Sequence, residues 1–573
     1  MRARLLYYTI CAVVFVVLVI ALIRNGFTST PVAGLIGATA VIGLLYISMG
    51  NTREEHVRGR QLITRMKDVK ITIPPGDLGF YWNGMTLPSA AKNEGFLYLG
   101  QTGSGKTICL SLLLHEALTK NSRAKAVIHD FKMNFPPLLK KFGVSKDRIK
   151  ILNPYDSRSI AWNIQKDCVD WDAALEIAKG FVPELPNEGD SAFFRLGARF
   201  LLAGVMRYFL LESREKPDFK WSLRDLVECA KDKEAMQEMF SRHEELKTNL
   251  AYLNRDNDDI LATLFQPLDE MGAIPNLWEG KDMFSFFDWA KYDNGEILVL
   301  GSDPMREGSL SVINRIMLNR MMKAVLTHRS DHKQESWFFL DEFHALGRIT
   351  GFESFVSLCR DYKGCVAVAT QDIAQIDALY GEKHRSTIMT NLVNKTFLKC
   401  SGDAAEWASK QIGQREVRVT SDSDSISTHG LQTGEQRSDQ MKPIVIPTEF
   451  DLLPMFYEAD SVYAYATSPY LGDAVRLILS KELTPVIRDG KPPQEYELIT
   501  DVTKTIPRAL KPEEKEVLGL KGGGVKKEDD KASRAGKQSA IDFETGLDAE
   551  VAQATGTQTK IVKRTVTVRR PLN

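Results

Sequence analysis

The sequence predicts an α/β fold in which a parallel sheet carries a glycine-rich loop, with an all-α inserted domain and an N-terminal hairpin of two apolar helices. Three observations predict it. Gly100-Gln101-Thr102-Gly103-Ser104-Gly105-Lys106-Thr107 completes the G-x-x-x-x-G-K-[ST] pattern between an apolar strand, Phe96–Leu99, and a helical run from Ile108 to Lys120. A second apolar strand, Trp337–Leu340, ends in the paired acids Asp341 and Glu342. Two uncharged apolar runs, Leu5–Ile23 and Val32–Met49, open the chain.

The apolar runs are each about the length of a bilayer-spanning helix. Arg2 and Arg4 precede the pair, and Arg53, Arg58, Arg60, Arg65, Lys67 and Lys70 follow it. The positive-inside bias puts both flanks in the cytoplasm and only the link, Arg24 to Pro31, outside. The expectation is a multi-pass membrane protein, with the rest of the chain cytoplasmic. The seven cysteines are scattered, without a C-x-x-C pair, which fits reduced thiols.

The glycine-rich loop explains its own residue types. Glycines let the backbone curl so that successive N–H groups point at phosphate oxygens, and the following helix N-terminus adds positive potential. Gly100, Gln101, Thr102, Gly103, Ser104, Gly105, Lys106 and Thr107 are therefore the expected nucleotide-binding residues. Lys106 reaches the β- and γ-phosphates, and the Thr107 hydroxyl ligates Mg²⁺. The Trp337–Leu340 strand reads as a Walker B segment, continuous in its apolar character as buried parallel strands are. Asp341 is expected to hold Mg²⁺, and Glu342 to polarise the attacking water. ATP and Mg²⁺ are the expected cofactors, and ATP hydrolysis the expected reaction.

Between Lys106 and Asp341 lies far more chain than a strand–helix succession needs. Helical periodicity recurs over Ala173–Gly180, Phe193–Leu211, Ser222–Lys231, Glu234–Phe240 and Ile260–Met271. The expected organisation is a membrane hairpin (1–50), a first part of the nucleotide-binding domain (51–167), an all-α insertion (168–289), a second part (290–510) and a disordered tail (511–573). A lead-in strand is expected over Asp68–Pro75, and a break at Pro136-Pro137. Strands are expected at Lys125–Asp130, Glu296–Leu300, Gly364–Ala369, Lys395–Lys399 and Ser461–Ala466. Thr420–Gln440 is rich in Ser, Asp, Gln, Thr and Gly and reads as a mobile loop.

The 74 basic and 74 acidic residues leave no net charge, which argues against a broadly basic nucleic-acid-binding surface. Any DNA contact is expected to be local, as in loops lining a pore.

The order of these features resembles the type IV coupling proteins, the TraD/TrwB-like ATPases of conjugation and type IV secretion. Supporting segments are Val127–Lys132, Asn153–Asp156, Phe193–Arg199, and Arg360-Asp361-Tyr362-Lys363-Gly364 running into Ala369-Thr370-Gln371-Asp372. The resemblance implies a RecA-like motor of the FtsK/HerA type, assembled as a hexamer, that joins a relaxosome to a type IV secretion channel. It implies ATP-driven transfer of DNA, expected to be single-stranded and relaxase-bound. It also implies that Gln371 senses the γ-phosphate and that Arg360 acts on the neighbouring subunit's nucleotide, with Arg415 as a rival for that role. An FtsK-type double-stranded DNA translocase and a receptor for protein effectors are the alternatives.

Overall fold

The computed structural model describes Arg24 and residues 52–520, apart from 185–188, 190, 254–257, 328–333, 428–429, 481–496 and 500. The expected membrane hairpin therefore lies outside the described residues, Arg24 excepted. Among those described, no helix is long and apolar enough to cross a membrane. The chain divides into two compact units, Met1–Ala509 and Leu510–Asn573. In the second, Pro512–Val517 form a helix where a structureless tail was expected to begin; residues beyond 520 are outside the description.

The strands of the first unit, in chain order, are β1 (Thr52–Gly59), β2 (Leu62–Ile63), β3 (Phe80–Trp82), β4 (Met85–Leu87), β5 (Phe96–Leu99), β6 (Lys125–Asp130), β7 (Ile149–Leu152), β8 (Ala161–Trp162) and β9 (Met283–Phe284). They continue with β10 (Ile297–Gly301), β11 (Ser336–Leu340), β12 (Gly364–Thr370), β13 (Asn394–Phe397), β14 (Gln414–Ser427), β15 (Gly430–Pro443), β16 (Ser461–Thr467) and β17 (Ala474–Ser480). Ten of them form one sheet in the order β2-β17-β16-β13-β5-β12-β11-β6-β10-β7. From β13 to β7 every neighbouring pair is parallel; β16 and β17 close the other side as an antiparallel pair. Strands β5, β6, β10, β11 and β12 are buried at every position. Helices cover both faces of such a sheet, so its central strands need apolar side chains throughout rather than an alternation.

β12 lies between β5 and β11. The strand that leads into the glycine-rich loop is thus separated from the strand that ends in Asp341-Glu342 by the strand that ends at Gln371. All three finish at the same edge, in register: Thr370 is opposite Leu99, and Val368 opposite Leu340. Ligands of open parallel sheets bind outside the carboxyl ends of the strands, and these three ends converge there.

The insertion is helical over Trp171–Phe181, Ser191–Glu215, Leu223–Lys231, Lys233–Arg242 and Asp258–Glu270. It is not purely so, because β9 pairs in parallel with β8 at its base. Asp167 fastens the two ends of the insertion together. Its carboxylate accepts from Trp162 Nε1 at 2.7 Å on one side and from Ser285 Oγ at 2.7 Å and the Phe286 N–H at 3.0 Å on the other. Two short segments far apart in the chain thus share one buried acceptor.

Three local expectations are corrected. Residues 69–75 form no strand: the β17 edge is taken by Leu62-Ile63, and Pro74 and Pro75 offer no N–H to a ladder. Val69 and Ile71 nonetheless pack against the core. Pro136-Pro137 starts a helix instead of breaking one. Helix α1 (Lys106–Thr119) follows the glycine-rich loop, and helix α2 (Phe135–Lys141) carries the two prolines in its first turn, where a missing N–H costs nothing. Thr420–Gln440 is not a loop. β14 and β15 pair residue by residue from Gln414↔Pro443 to Ser427↔Gly430, and β1 adds to β14 as a third antiparallel strand. Its polar composition hid it, since a ribbon outside the main core has no need of an apolar face.

Candidate functional site

The glycine-rich loop joins β5 to α1 and is tied down from both sides. Gly100 N–H donates to Thr370 O at 3.2 Å, at the end of β12, and Gln101 N–H donates to Lys399 O at 2.8 Å, just past β13. Gln101 Nε2 also donates to Ser401 Oγ at 2.8 Å, and Ser104 Oγ to Gln101 O at 2.7 Å. Gly103 and Gly105 have φ of 84° and 107°, a region closed in practice to other residues. At Gly105 there is also no room: a Cβ would sit 2.8 Å from Val462 Cγ2. Thr102 and Gly103 are exposed at the tip, while Ser104, Gly105 and Lys106 are buried and Thr107 is half-buried.

Lys106 folds back onto its own loop. Its Nζ donates to Gly100 O at 2.6 Å and lies 3.8 Å from Glu342 Oε1. The side chain is only 4% exposed. A charged group this buried needs partners. A carbonyl and a carboxylate supply them, and a phosphate would do so as well.

Glu342 is held in an unusual backbone conformation. Its φ of 53° and ψ of 64° are left-handed, which costs a non-glycine residue about 1–3 kcal/mol. The sharp turn after β11 aims the carboxylate back along the sheet edge. There Gln371 Nε2 donates to Glu342 Oε1 at 3.0 Å, and His344 Nδ1 lies 3.8 Å from Oε2. Three predicted residues, Lys106, Glu342 and Gln371, are thus gathered at one point although they follow three different strands, β5, β11 and β12. Asp341, 1% exposed, precedes Glu342 at the same edge. Thr107 and Asp341 together offer a hydroxyl and a carboxylate, hard oxygen donors of the kind Mg²⁺ takes. Among the described residues no cluster of three or more His, Cys, Asp or Glu suits another metal.

Arg360 is elsewhere. It lies in the turn that leads into β12, at the opposite end of the strand from Gln371. The seven residues of β12 span about 23 Å, so Arg360 is that far from the loop of its own chain. Its side chain is 62% exposed and meets Glu94 Oε1 at 3.5 Å. Arg415 is in the three-stranded sheet, opposite Gly59 of β1.

Sequence reasoning gave no role to the end of β6, where Asp130 and His129 support the site. Asp130 accepts from the Asn134 and Phe135 N–H groups at 3.0 and 2.8 Å and so caps α2. Burial, helped by the Asp341 carboxylate, pushes it up to about 7 against the pull of those amides. His129 Nδ1 donates to the Asp341 carbonyl at 2.8 Å, fixing the backbone that carries Asp341 and Glu342. Burial pushes this imidazole down to about 4.

The two shifts act in opposite directions on stability. The His129 contribution is present above pH 6.5 and lost as pH falls toward 4. The Asp130 contribution is present below 3.8 and lost as pH rises through about 7. His129→Asn keeps a donor but cannot charge. Its stability relative to wild type is expected to improve by about 2 kcal/mol between pH 7 and pH 4.5. Denaturant titrations at the two pH values check this; an unchanged difference would refute it.

Known proteins resemble this chain in sequence and in fold. Residues 81–470 match the family model described as the type IV secretion-system coupling protein DNA-binding domain. Coupling protein TraD of Escherichia coli strain K12 is 22% identical over 471 residues, covering 78% of this chain and 62% of TraD, so the chain spans less than two thirds of that relative. Protein VirD4 of Agrobacterium fabrum is 27% identical over 127 residues, 22% of this chain and 18% of VirD4. Among solved structures, the bacterial conjugative coupling protein TrwBdeltaN70 in its unbound monoclinic form aligns with a TM-score of 0.61 at 21% identity, over 77% of this chain and 96% of that one. TrwB in complex with ADP and Mg²⁺ aligns with a TM-score of 0.61 at 18% identity, over 78% and 98%. These structural likenesses establish the fold, and the family match spans more than half of the sequence. The chain belongs to the type IV secretion-system coupling protein family, whose DNA-binding domain it carries.

Proposed function

We propose that this protein is an ATPase that couples a DNA substrate to a type IV secretion channel and drives its transfer in conjugation. The observation that carries the reading is the meeting of Lys106, Glu342 and Gln371 at the mouth of a complete phosphate loop, in a chain of this family. ATP is the nucleotide and Mg²⁺ its companion ion, in keeping with the ADP–Mg²⁺ complex of the similar TrwB. Gly100 to Thr107 cradle the phosphates, while Thr107 and Asp341 hold the ion, which when bound offsets phosphate charge.

Each remaining residue has a definite task. Lys106 exchanges the Gly100 carbonyl for phosphate oxygens. Glu342 then accepts a proton from the attacking water. Gln371, already bonded to Glu342, orients that water and reports the γ-phosphate to the rest of the sheet. Arg360, too distant from its own loop, acts on a neighbour's ATP in a hexamer. The apolar runs 5–23 and 32–49 anchor the ring in the inner membrane, and the tail beyond 510 meets relaxosome or channel proteins. The DNA is single-stranded and relaxase-bound.

Lys106→Ala tests the reading. The helix dipole and loop amides remain, but the phosphates lose their only lysine in the loop. Turnover is expected to fall below detection and DNA transfer with it, while circular dichroism stays unchanged. Normal transfer by this variant would refute the motor function. ATPase rates with single-stranded and with double-stranded DNA separate this reading from a double-stranded DNA translocase.

A further inference from the structure

The loop has two flanks. On the β12 side lie Gln371 and Glu342, where the γ-phosphate end of a bound triphosphate belongs. A nucleotide threaded through the loop must therefore leave on the other side, beyond β13 and β16. That side is covered by Pro454–Asp460, the segment that leads into β16.

This segment is firmly attached. Phe456 N–H donates to Gly103 O at 3.3 Å, and the Phe456 ring packs against the core. Lys399 Nζ donates to Leu453 O at 3.1 Å and also to Asp451 O. The Met455 N–H donates to Glu458 Oε2 at 3.0 Å. On this fixed backbone Tyr457 is 70% exposed, yet its ring edge is only 3.6 Å from where a side chain on Gly103 would begin. Met455 Cε is 3.9 Å from the same point. An aromatic ring is thus held beside the phosphate loop with most of its surface uncovered. Packing among the described residues does not account for it.

We propose that Tyr457 is the stacking platform for the purine base of the bound nucleoside triphosphate, with Met455 filling in at the loop. The inference rests on the nucleotide-binding reading and extends it to the far end of the ligand. A flat π-surface suits any purine, because every base has a face to offer. Tyr457 accordingly supplies affinity without choosing between adenine and guanine.

Calorimetric titrations of ATP, GTP and inorganic tripolyphosphate, each with Mg²⁺, test this on the whole protein. Tripolyphosphate fills the loop and has no base. Tyr457→Ala is expected to weaken ATP and GTP binding alike, by about tenfold or more, and to leave tripolyphosphate binding unchanged. Tyr457→Phe should restore both nucleotides. Equal weakening of all three ligands would mean that Tyr457 merely shapes the loop, and no weakening would mean that it does not meet the base; either overturns the proposal. So would a shift in sedimentation of Tyr457→Ala that tracks the lost affinity, since the ring would then serve a subunit contact. If the wild-type protein bound neither ATP nor tripolyphosphate, the nucleotide-binding reading itself would fail.

Discussion

Arg360→Ala is expected to bind ATP normally and to turn it over about 10³- to 10⁵-fold more slowly, the range typical of an arginine supplied in trans to phosphoryl transfer. The structure sharpens the contrast between this outcome and its rival. Within one chain, the Arg360 guanidinium pairs with Glu94 at 3.5 Å, with most of its side chain in water. A surface pair of that kind is worth under about 1 kcal/mol, so on that account the substitution would cost less than about tenfold. The length of β12 keeps the guanidinium away from its own Lys106, and no rotamer bridges the gap. A large effect therefore requires a second subunit.

Mixing supplies the complementary result. Lys106→Ala has a disabled loop but an intact arginine, whereas Arg360→Ala has the reverse. An interface formed between the two can pair the intact parts, and some ATPase activity should return. A covalently linked dimer with both substitutions on one protomer guards against strict cooperativity between subunits. If Arg360→Ala alone retains more than a tenth of wild-type turnover at saturating ATP and protein, the trans assignment is wrong. Arg415 is then the next residue to replace, although it sits in the ribbon beside β1.

Glu342→Gln should separate binding from chemistry. A positioned general base contributes about 10²- to 10⁴-fold, and the amide keeps the shape of the carboxylate without its basicity. The oxygen of the new side chain can still accept from Gln371 Nε2, which it meets at 3.0 Å in the wild type. The backbone turn that places residue 342 is set by β11 and the left-handed φ, not by the charge. Nucleotide affinity should hold or rise slightly, because Lys106 loses a competing partner 3.8 Å away. Single-turnover hydrolysis and equilibrium binding measured on the same preparation distinguish the cases. A parallel loss of affinity and rate would assign Glu342 to nucleotide binding. Retention of more than a tenth of the rate would remove it from the reaction.

Some parts of this site could be read residue by residue from the chain. The glycine-rich loop is recognisable because its φ angles and its close approach to phosphate leave almost no choice of side chain at Gly103 and Gly105. β11 and β12 are recognisable because a strand buried on both faces must be apolar throughout. Other parts misled for equally physical reasons. Pro136-Pro137 resembles a break unless Asp130 is known to cap the preceding amides. The 414–443 ribbon resembles a loop because it draws its order from pairing with β1, some 360 residues away in the chain, and not from an apolar face. His129 and Asp130 belong to a segment that supports the family resemblance, yet neither they nor Tyr457 shows a role in the sequence, since their meaning lies in what they face.

A phosphate loop, a Walker B acid pair, a helical insertion between them and a parent parallel sheet are all legible in the chain alone. Each of those follows from local demands on backbone angle, hydrogen bonding and hydrophobic periodicity. The placing of β12 between β5 and β11 is seen in the folded chain, and it is what brings Gln371 and Lys106 both against Glu342. The fold alone sent Arg360 to the far end of the sheet and left Tyr457 open beside Gly103. Strand order is fixed by how whole strands and helices pack against one another, a property of the assembled core that no single segment encodes.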